Sequence, residues 1–527
     1  MPDPSLFKDM DHAAHRLAMA VEQGETIAVY GDYDVDGATS AALLILVLRH
    51  LGRFARPYIP DRLLEGYGPS ADALVGLKQE GVDLVVTVDC GAQAFEALAA
   101  ARRSGLDVIV VDHHKCSTQL PEVVALVNPN RLDESPEAAS HGHLAAVGVA
   151  FLLAAALVRT LRHRGFFENR QEPDLMALLD IVALGTVADV AQLKGLNRAF
   201  VSQGLKVLAH RRNIGLAALA DVARVNKVPG AHELGFAFGP RINAGGRVGQ
   251  ADLGVRLLTT QNPAEAREIA EELDRLNDER RAIEAAVTEQ ALELASTTSN
   301  APVAIVAANG WHPGVIGIVA GRLKERLGKP SIVISLDDQG VGKGSGRSVA
   351  GVDLGAAIIA ARESGFLLAG GGHAMAAGLT VASGGVDRFS GWLAERLADQ
   401  CAAAQESRSL SLDALLAPGG INAHFAEAIE EGGPYGHGWP QPRIATGPVR
   451  LVKSDIVGTG HVRLVAGGED GRTFKAIAFR AADSDMGQTL LNSGGSRRFW
   501  LAGRVKKDEW SGRGAAELHL DDAAFAD

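Results

Sequence analysis

Asp32, Asp34 and Asp36 stand at alternating positions in the stretch Val29-Tyr30-Gly31-Asp32-Tyr33-Asp34-Val35-Asp36-Gly37. Three carboxylates this close repel one another, and burying them unpaired carries a large desolvation cost. Hard divalent cations with a preference for oxygen, Mg²⁺ or Mn²⁺, relieve both problems. Further along, Asp89, Asp112-His113-His114 and the Asp189 of Gly185-Thr186-Val187-Ala188-Asp189 add carboxylates and imidazoles. The plain alternative is a set of solvated turns and helix caps, for which Asp and Gly are well suited. Asp189, at the end of an apolar helix pattern, fits a cap or an ion pair equally well.

The elements that must position these groups separate the two readings. Thr26–Tyr30, Leu84–Val88 and Asp107–Val111 are short apolar β-type runs, and each ends just ahead of one of the acidic groups. Phe54–Ile59 and Val123–Val127 read as further strands. Helical patterns at Ala38–Leu51, Ser70–Glu80 and Gln93–Ser104 alternate with them. Apolar strands alternating with helices predict a parallel sheet covered on both faces. The carboxyl ends of its strands share one edge, so Asp32 to Asp36, Asp89 and the Asp112-His113-His114 run converge there. Three separate caps on one edge account for this less well than a single site.

A length of 527 residues implies about three domains. The net charge of −11 excludes a broad basic nucleic-acid-binding surface but not a local basic groove beside an acidic centre. The three cysteines, Cys90, Cys116 and Cys401, have no metal-type spacing, and no secretory signal pattern is present, so a reducing cytoplasm is expected. The apolar run Leu144–Val158 is too short to span a bilayer and reads as a buried helix, with no membrane role. Helices are expected at Ala145–Arg164, Asp174–Leu184, Asn197–His210 and Ile214–Ala223.

Gly239 to Gly249 reads as a Gly-rich loop in which Arg241, Asn243 and Arg247 suit phosphate oxygens. Ala264–Ser296 is a long charged helix pattern, a spacer between domains with a solvated face. A second α/β unit follows, with strands at Val303–Ala307 and Ser331–Ser335 and a helix at Gly314–Leu327. Its Lys343-Gly344-Ser345-Gly346-Arg347-Ser348 and Gly370-Gly371-Gly372-His373 stretches suit a closely approaching phosphate or nucleotide backbone. The alternative is tight glycine packing with a structural His373. Neither has P-loop spacing. After a helix at Val386–Ala404, Pro418 to Pro448 reads as linker and irregular structure. Five short β runs then predict a small barrel: Arg450–Val452, Val462–Val465, Phe474–Phe479, Phe499–Val505 and Glu517–Leu520. Arg463, Lys475, Arg480, Arg504, Lys506, Lys507, Phe474 and Trp510 offer it cations and aromatics for a single strand.

With these residues in view, the chain resembles a known family. Gly31-Asp32-Tyr33-Asp34-Val35-Asp36-Gly37, Val88-Asp89-Cys90-Gly91, Asp112-His113-His114 and Gly185-Thr186-Val187-Ala188-Asp189 look like the four motifs of the DHH phosphoesterases. Gly371-Gly372-His373 through Gly378 looks like the glycine motif of the DHH-associated domain. Pro240-Arg241-Ile242-Asn243-Ala244-Gly245-Gly246-Arg247 and the terminal barrel extend the likeness to nearly the whole chain. They single out the family's bacterial single-strand-specific 5′→3′ DNA exonucleases. Many DHH phosphatases have His where this chain has Tyr30, and the family usually has a longer segment ahead of the counterpart of Met1–Met10.

The resemblance implies two α/β domains, a DHH parallel-sheet domain at 1–225 and a DHH-associated domain at 300–405. The Arg/Gly loop and long helix at 226–299 join them, and a linker at 406–447 leads to an OB-like barrel at 448–527. It implies that Asp34, Asp36, Asp89, His113 and Asp189 hold two Mn²⁺ or Mg²⁺ ions, with Asp32 beside or within that set and His114 on the substrate or behind the ligands. Arg62, Arg241, Asn243, Arg247, Arg347, Gly371, Gly372 and His373 are candidate phosphate contacts. The expected activity is 5′→3′ digestion of single-stranded DNA to 5′-mononucleotides in recombination and repair. The expected partners are single-strand-binding protein and a RecQ-type helicase, and a monomer is expected. The competing readings are a DHH phosphodiesterase of short oligonucleotides or cyclic dinucleotides, and a non-catalytic replication scaffold. The terminal barrel argues against the first and the intact acidic set against the second.

Overall fold

Apolar strands, each followed by a helix that carries the chain back to the same sheet edge, build the amino-terminal half. The structure is a computed structural model, described for all residues except 63, 298, 299, 408, 494, 496, 509–514 and 527. It places α1 (Met10–Gln23), β1 (Ile27–Gly31), α2 (Val35–His50), β2 (Ala55–Tyr58), α3 (Ala71–Gln79), β3 (Leu84–Val88), α4 (Phe95–Arg103), β4 (Asp107–Val111) and β5 (Ala125–Val127) in that order. The sheet order is β2-β1-β3-β4-β5 and every pairing is parallel, as expected. From β1 the chain moves to one side, and from β3 to the other. The crevice between these strand ends is the switch point of the sheet, the usual ligand position in such folds. Every residue of β1 and β3 is buried. One face packs against α3 and α4 through Ala28, Tyr30, Leu74, Leu77, Val85, Leu98 and Val108.

A helical stretch continues with the single-turn α5 (Pro136–Ala139), α6 (Ala146–His163), α7 (Leu179–Ala188), α8 (Gly195–Leu208), α9 (Ile214–Val222), the short α10 (Ala231–Glu233), α11 (Gly239–Val248) and α12 (Leu253–Thr259). The apolar run that sequence length alone placed below a bilayer span forms the 18-residue α6, long and apolar enough to cross one. Its burial identifies it as a core helix, since 78% of it is covered by the protein.

The Gly239–Gly249 stretch is helix α11, not a loop. Glycines in a helix cost about 1 kcal/mol each relative to Ala, but a Cβ on Gly246 would collide with the Tyr33 carbonyl oxygen. Backbone-to-backbone packing against the loop after β1 therefore overrides local propensity. The 34-residue α13 (Pro263–Ser296) follows as predicted. Its charges are not all solvated: Arg280 and Glu284 are buried and paired at 2.7 Å, and Arg322 reaches Glu284 at 3.2 Å. The helix buries them where its packing passes from the first sheet's helices to the second sheet.

The second sheet comprises β6 (Ala304–Asn309), β7 (Ser331–Leu336), β8 (Gly342–Arg347), β9 (Ala369–His373) and β10 (Ala376–Val381), in order β6-β7-β8-β10-β9. Only β6–β7 is parallel. Helices α14 (Ile316–Leu327), α15 (Leu354–Glu363) and α16 (Val386–Glu406) cover it. The glycine triplet lies within strand β9, where α15 packs so closely that a Cβ on Gly355 would sit 2.7 Å from the His373 carbonyl.

Residues 192–194 and 409–527 form a separate unit. It contains β11 (Ala414–Leu416), α17 (Ala423–Glu431), β12 (Ile444–Val457), β13 (His461–Gly467), β14 (Thr473–Ala478), α18 (Asp485–Asn492), β15 (Arg498–Lys507) and β16 (Ala516–Phe525). The order β12-β13-β14-β16-β15 closes through β15–β12 pairing into the five-stranded barrel expected from the sequence. The 418–448 stretch, read as irregular, includes helix α17. Lys475, Arg504 and Lys507 pair with Asp508, Asp521 and Glu430. Trp510 lies outside the described residues.

Candidate metal centre

Each group arrives at the crevice on a strand end or helix end. Between β1 and α2 the chain turns so that Asp34 caps α2, its Oδ1 accepting from the backbone N–H of Asp36 (2.9 Å) and Gly37 (3.1 Å). Asp36 is fully buried and caps a different helix, α6. Its two oxygens accept from Ala146 N–H (2.7 Å) and Val147 N–H (2.9 Å), 110 and 111 residues away. Asp89, just past β3, adopts φ 61°, a left-handed conformation that Asp tolerates better than most residues. Asp189 ends α7.

His113 follows β4. Its Nδ1 lies 3.0 Å from the Leu144 carbonyl, which can only accept, so that nitrogen carries the proton and Nε2 presents its lone pair. Nε2 faces Asp89 Oδ1 at 3.2 Å and Asp36 Oδ2 at 3.9 Å. His113 Nε2, Asp89 Oδ1 and Asp32 Oδ1 are buried atoms without a hydrogen-bond partner. Three ligand groups result, with atoms within 4.8 Å of one another in each: Asp36-His113-Asp189, Asp32-Asp34-Asp89 and Asp89-His113-His114.

The electrostatics follow from this crowding. Burial, then the charge of Asp34, pushes Asp32 up to about 8. Burial, then Asp36 and Asp34, pushes Asp189 up to about 9. Asp89 and Asp36 are raised as well, chiefly by burial. Asp112 behaves oppositely. Burial acts to raise it, but the hydrogen bond from His114 Nδ1 (2.8 Å) and the N–H groups of Ala92 and His114 hold it at about 2. Burial likewise opposes charge on His114, yet Asp112 lifts it to about 9. Carboxylates that resist ionisation, with unpartnered oxygens and one imidazole lone pair turned inward, fit a hard divalent cation. Mn²⁺ suits the mixed oxygen and imidazole set, and Mg²⁺ suits its carboxylates.

A cationic rim adjoins the centre. The Arg62 guanidinium lies 4.8 Å over the Tyr33 ring. Arg247 donates to the Gly314 carbonyl at 2.9 Å; burial, then Arg62 and Arg280, lowers it to about 10, while Asp34 acts the other way. Arg347 donates to the Gly346 carbonyl (2.8 Å) and Ser345 Oγ (3.2 Å), and is lowered by burial and by Arg62. Arg247 and Arg347, each feeling the charge of Arg62, form with it a cationic cluster that suits an anion. Arg241 is engaged otherwise, with Asp274 Oδ1 (2.8 Å) and the Ala237 carbonyl (2.8 Å). Asn243 lies half-buried on α11. His373 and Gly372 are exposed on β9, and Gly371 pairs across register with Gly378. A Cβ at either Gly371 or Gly378 would meet nothing within 4 Å, so backbone is open on that strip.

Sequence reasoning missed Tyr67, whose hydroxyl lies 3.2 Å from both the Asp89 carbonyl and His114 Nδ1. It also missed Tyr33 as the seat of Arg62, and Asp112 as the anchor of His114. Aromatics in a glycine-bounded loop leave no periodic signal, whereas Asp112 had the strand-end signal already used for Asp89.

Three family models match the chain: the DHH family N-terminal domain over residues 26–186, the DHHA1 domain over 300–399 and the RecJ OB domain over 412–522. The single-stranded-DNA-specific exonuclease RecJ of Dickeya dadantii is 37% identical, over 98% of this chain and 91% of that protein. The crystal structure of RecJ from Thermus thermophilus in complex with Mn²⁺ superposes with a TM-score of 0.78 at 30% identity, covering 99% of this chain and 73% of that one. The same protein's complex with Mg²⁺ gives 0.72 at 29% identity, covering 98% and 70%.

Proposed function

The chain belongs to the RecJ family of single-stranded-DNA-specific exonucleases, and from that premise we propose how its residues carry out the digestion. It is an exonuclease of single-stranded DNA whose cofactor is Mn²⁺ or Mg²⁺. Asp36, His113 and Asp189 would hold one ion and Asp32, Asp34 and Asp89 the other. The observation that carries this assignment is the convergence of three buried, unpartnered atoms, Asp32 Oδ1, Asp89 Oδ1 and His113 Nε2.

When bound, such a cation pair supplies Lewis-acid chemistry, neutralising phosphodiester charge and acidifying the attacking water. The protein does the rest by position. Leu144 fixes the His113 tautomer, and Asp112 orients His114 toward the scissile phosphate. Arg62, Arg247 and Arg347 receive non-reacting phosphate oxygens, bidentately where the guanidinium fork allows. Arg241, held by Asp274, steadies α11 and through it Arg247. Asn243, Gly371, Gly372 and His373 contact phosphates further along the strand, and the barrel adds single-strand affinity. Digestion proceeds from the 5′ end and releases 5′-mononucleotides, in recombination and repair. The enzyme acts as a cytoplasmic monomer, with single-strand-binding protein and a RecQ-type helicase as partners.

The test is digestion of single-stranded DNA labelled at either end, with Mn²⁺, Mg²⁺ or EDTA, beside matched blunt duplex and a dinucleotide. Cation-dependent release of the 5′ label as mononucleotide, with duplex spared, is the expected result. Digestion of the dinucleotide alone would favour a small-substrate phosphodiesterase, and tight strand binding without cleavage would favour a scaffold.

A further inference from the structure

The ring of His113 is aimed by a backbone strap, and the strap is itself held by side chains outside the motifs, Asn197 at the His143 carbonyl and Asn130 at the Gly142 carbonyl. Residues 142–147 supply in succession the Gly142 carbonyl, the His143 carbonyl, the Leu144 carbonyl that accepts from His113 Nδ1, and the Ala146 and Val147 N–H groups that hold Asp36. Asn130, just beyond β5, ties this strap to the histidine. Its Nδ2 donates to the His113 carbonyl at 2.6 Å and to the Gly142 carbonyl at 2.9 Å. Its own backbone N–H donates to Asn128 Oδ1 at 2.8 Å, and Asn128 Nδ2 donates to the His114 carbonyl at 2.8 Å. The fit is close: a Cβ on Gly142 would collide with Asn130 Oδ1.

We propose that Asn130 is a positioning residue for cation binding, its amide clamping the His113 backbone to the 142–144 strap so that the ring keeps Nδ1–H on Leu144 and turns Nε2 to the ion. This rests on the reading of the acidic centre as a cation site. Two carbonyls from segments some 30 residues apart in sequence converge on one amide group with both N–H bonds used. A hydroxyl has one donor to offer, and a carboxylate of the same shape has none. Partners that orient a ligating histidine are worth about 10–100-fold in metal affinity when removed.

Asn130→Asp keeps the shape but turns two donors into acceptors facing two carbonyls, and Asn130→Ser keeps one donor. In the full chain, Mn²⁺ binding is measured by electron paramagnetic resonance of free Mn²⁺, beside circular dichroism, melting and single-strand binding in EDTA. Asn130→Asp is expected to fold, to bind DNA in EDTA as the parent does, and to weaken Mn²⁺ binding by about 10–100-fold. Its half-saturating Mn²⁺ for digestion rises in step, while activity at saturating Mn²⁺ largely recovers. Asn130→Ser falls between. A folded Asn130→Asp protein with unchanged Mn²⁺ affinity would overturn the proposal, as would loss of secondary structure in both variants, which would make Asn130 a folding residue. Failure of the parent protein to take up Mn²⁺ is a separate outcome and removes the cation site itself.

Discussion

His113 Nε2 and Asp89 Oδ1 face each other across 3.2 Å without a hydrogen bond between them. With the ring proton committed to Leu144, two lone pairs oppose one another in a buried space, an arrangement that a cation turns from repulsive to attractive.

Replacing Asp89 by Asn can turn an amide N–H toward the His113 Nε2 lone pair in place of the opposed oxygen, while keeping a residue that tolerates φ 61°. In EDTA the variant is expected to melt higher than the parent, by about 1 °C for each kcal/mol of repulsion relieved in a unit of this size. With Mn²⁺ the order reverses, and digestion falls by at least about a hundredfold, at the upper end of what removing even an outer partner costs. Calorimetry in both buffers, with a nuclease assay, checks this; a lower melting point in EDTA would count against the repulsion.

The same carboxylates set a pH dependence. Asp32 at about 8 and Asp189 at about 9 lie above the ordinary value of 3.8, so the cation-free folded state holds protons that the unfolded state has released. Their contribution to stability is complete below about 4 and is lost as pH rises through about 8–9. Asp112, at about 2, contributes in full above 3.8 and loses its contribution only as pH falls through about 2. Melting temperature in EDTA should therefore decline from pH 5 to 9, and Mn²⁺ should flatten the decline. A flat profile in EDTA would show these groups ionised without a cation.

Gly246→Ala tests the backbone contact between α11 and the loop of Asp32 and Asp34. Ala gains about 1 kcal/mol of helix propensity, but the added methyl collides with the Tyr33 carbonyl, and overpacking of this kind costs about 1–3 kcal/mol. A lower melting point together with weakened Mn²⁺ binding is expected from thermal and binding titrations. An increase in stability would mean that the loop yields freely.

Arg347→Lys keeps the charge but loses the guanidinium, whose Nη1 donates to both the Gly346 carbonyl and Ser345 Oγ and whose planar fork suits a phosphate. KM for single-stranded DNA should rise about tenfold, as expected for the loss of a bidentate contact, with Mn²⁺ affinity unchanged. Steady-state kinetics across a salt series decide it, and an unaltered KM would remove Arg347 from the phosphate contacts.

The strand ends bearing Asp32 to Asp36, Asp89 and His113 were legible because apolar runs and helix patterns are local, and parallel topology gathers their ends. The capping of α6 by Asp36 and the tie from Asn130 to Gly142 were not, since partners across such separations leave no spacing signature. Helix α11 escaped for a related reason: its glycines look like loop residues until Tyr33 is packed against one of them. Likewise Arg280 and Glu284 read as solvated until α14 and Arg322 are placed over them.

The double duty of Asp36 bears on how an inert form of this enzyme is best made. Its oxygens receive the first N–H groups of α6, so neutralising it disturbs a core helix together with the cation pocket. Asp189 ends its own helix and accepts no side-chain hydrogen bond among those described. A catalytically silent protein intended to trap a DNA strand for structure determination is therefore better built at Asp189, where silence and misfolding are not confounded.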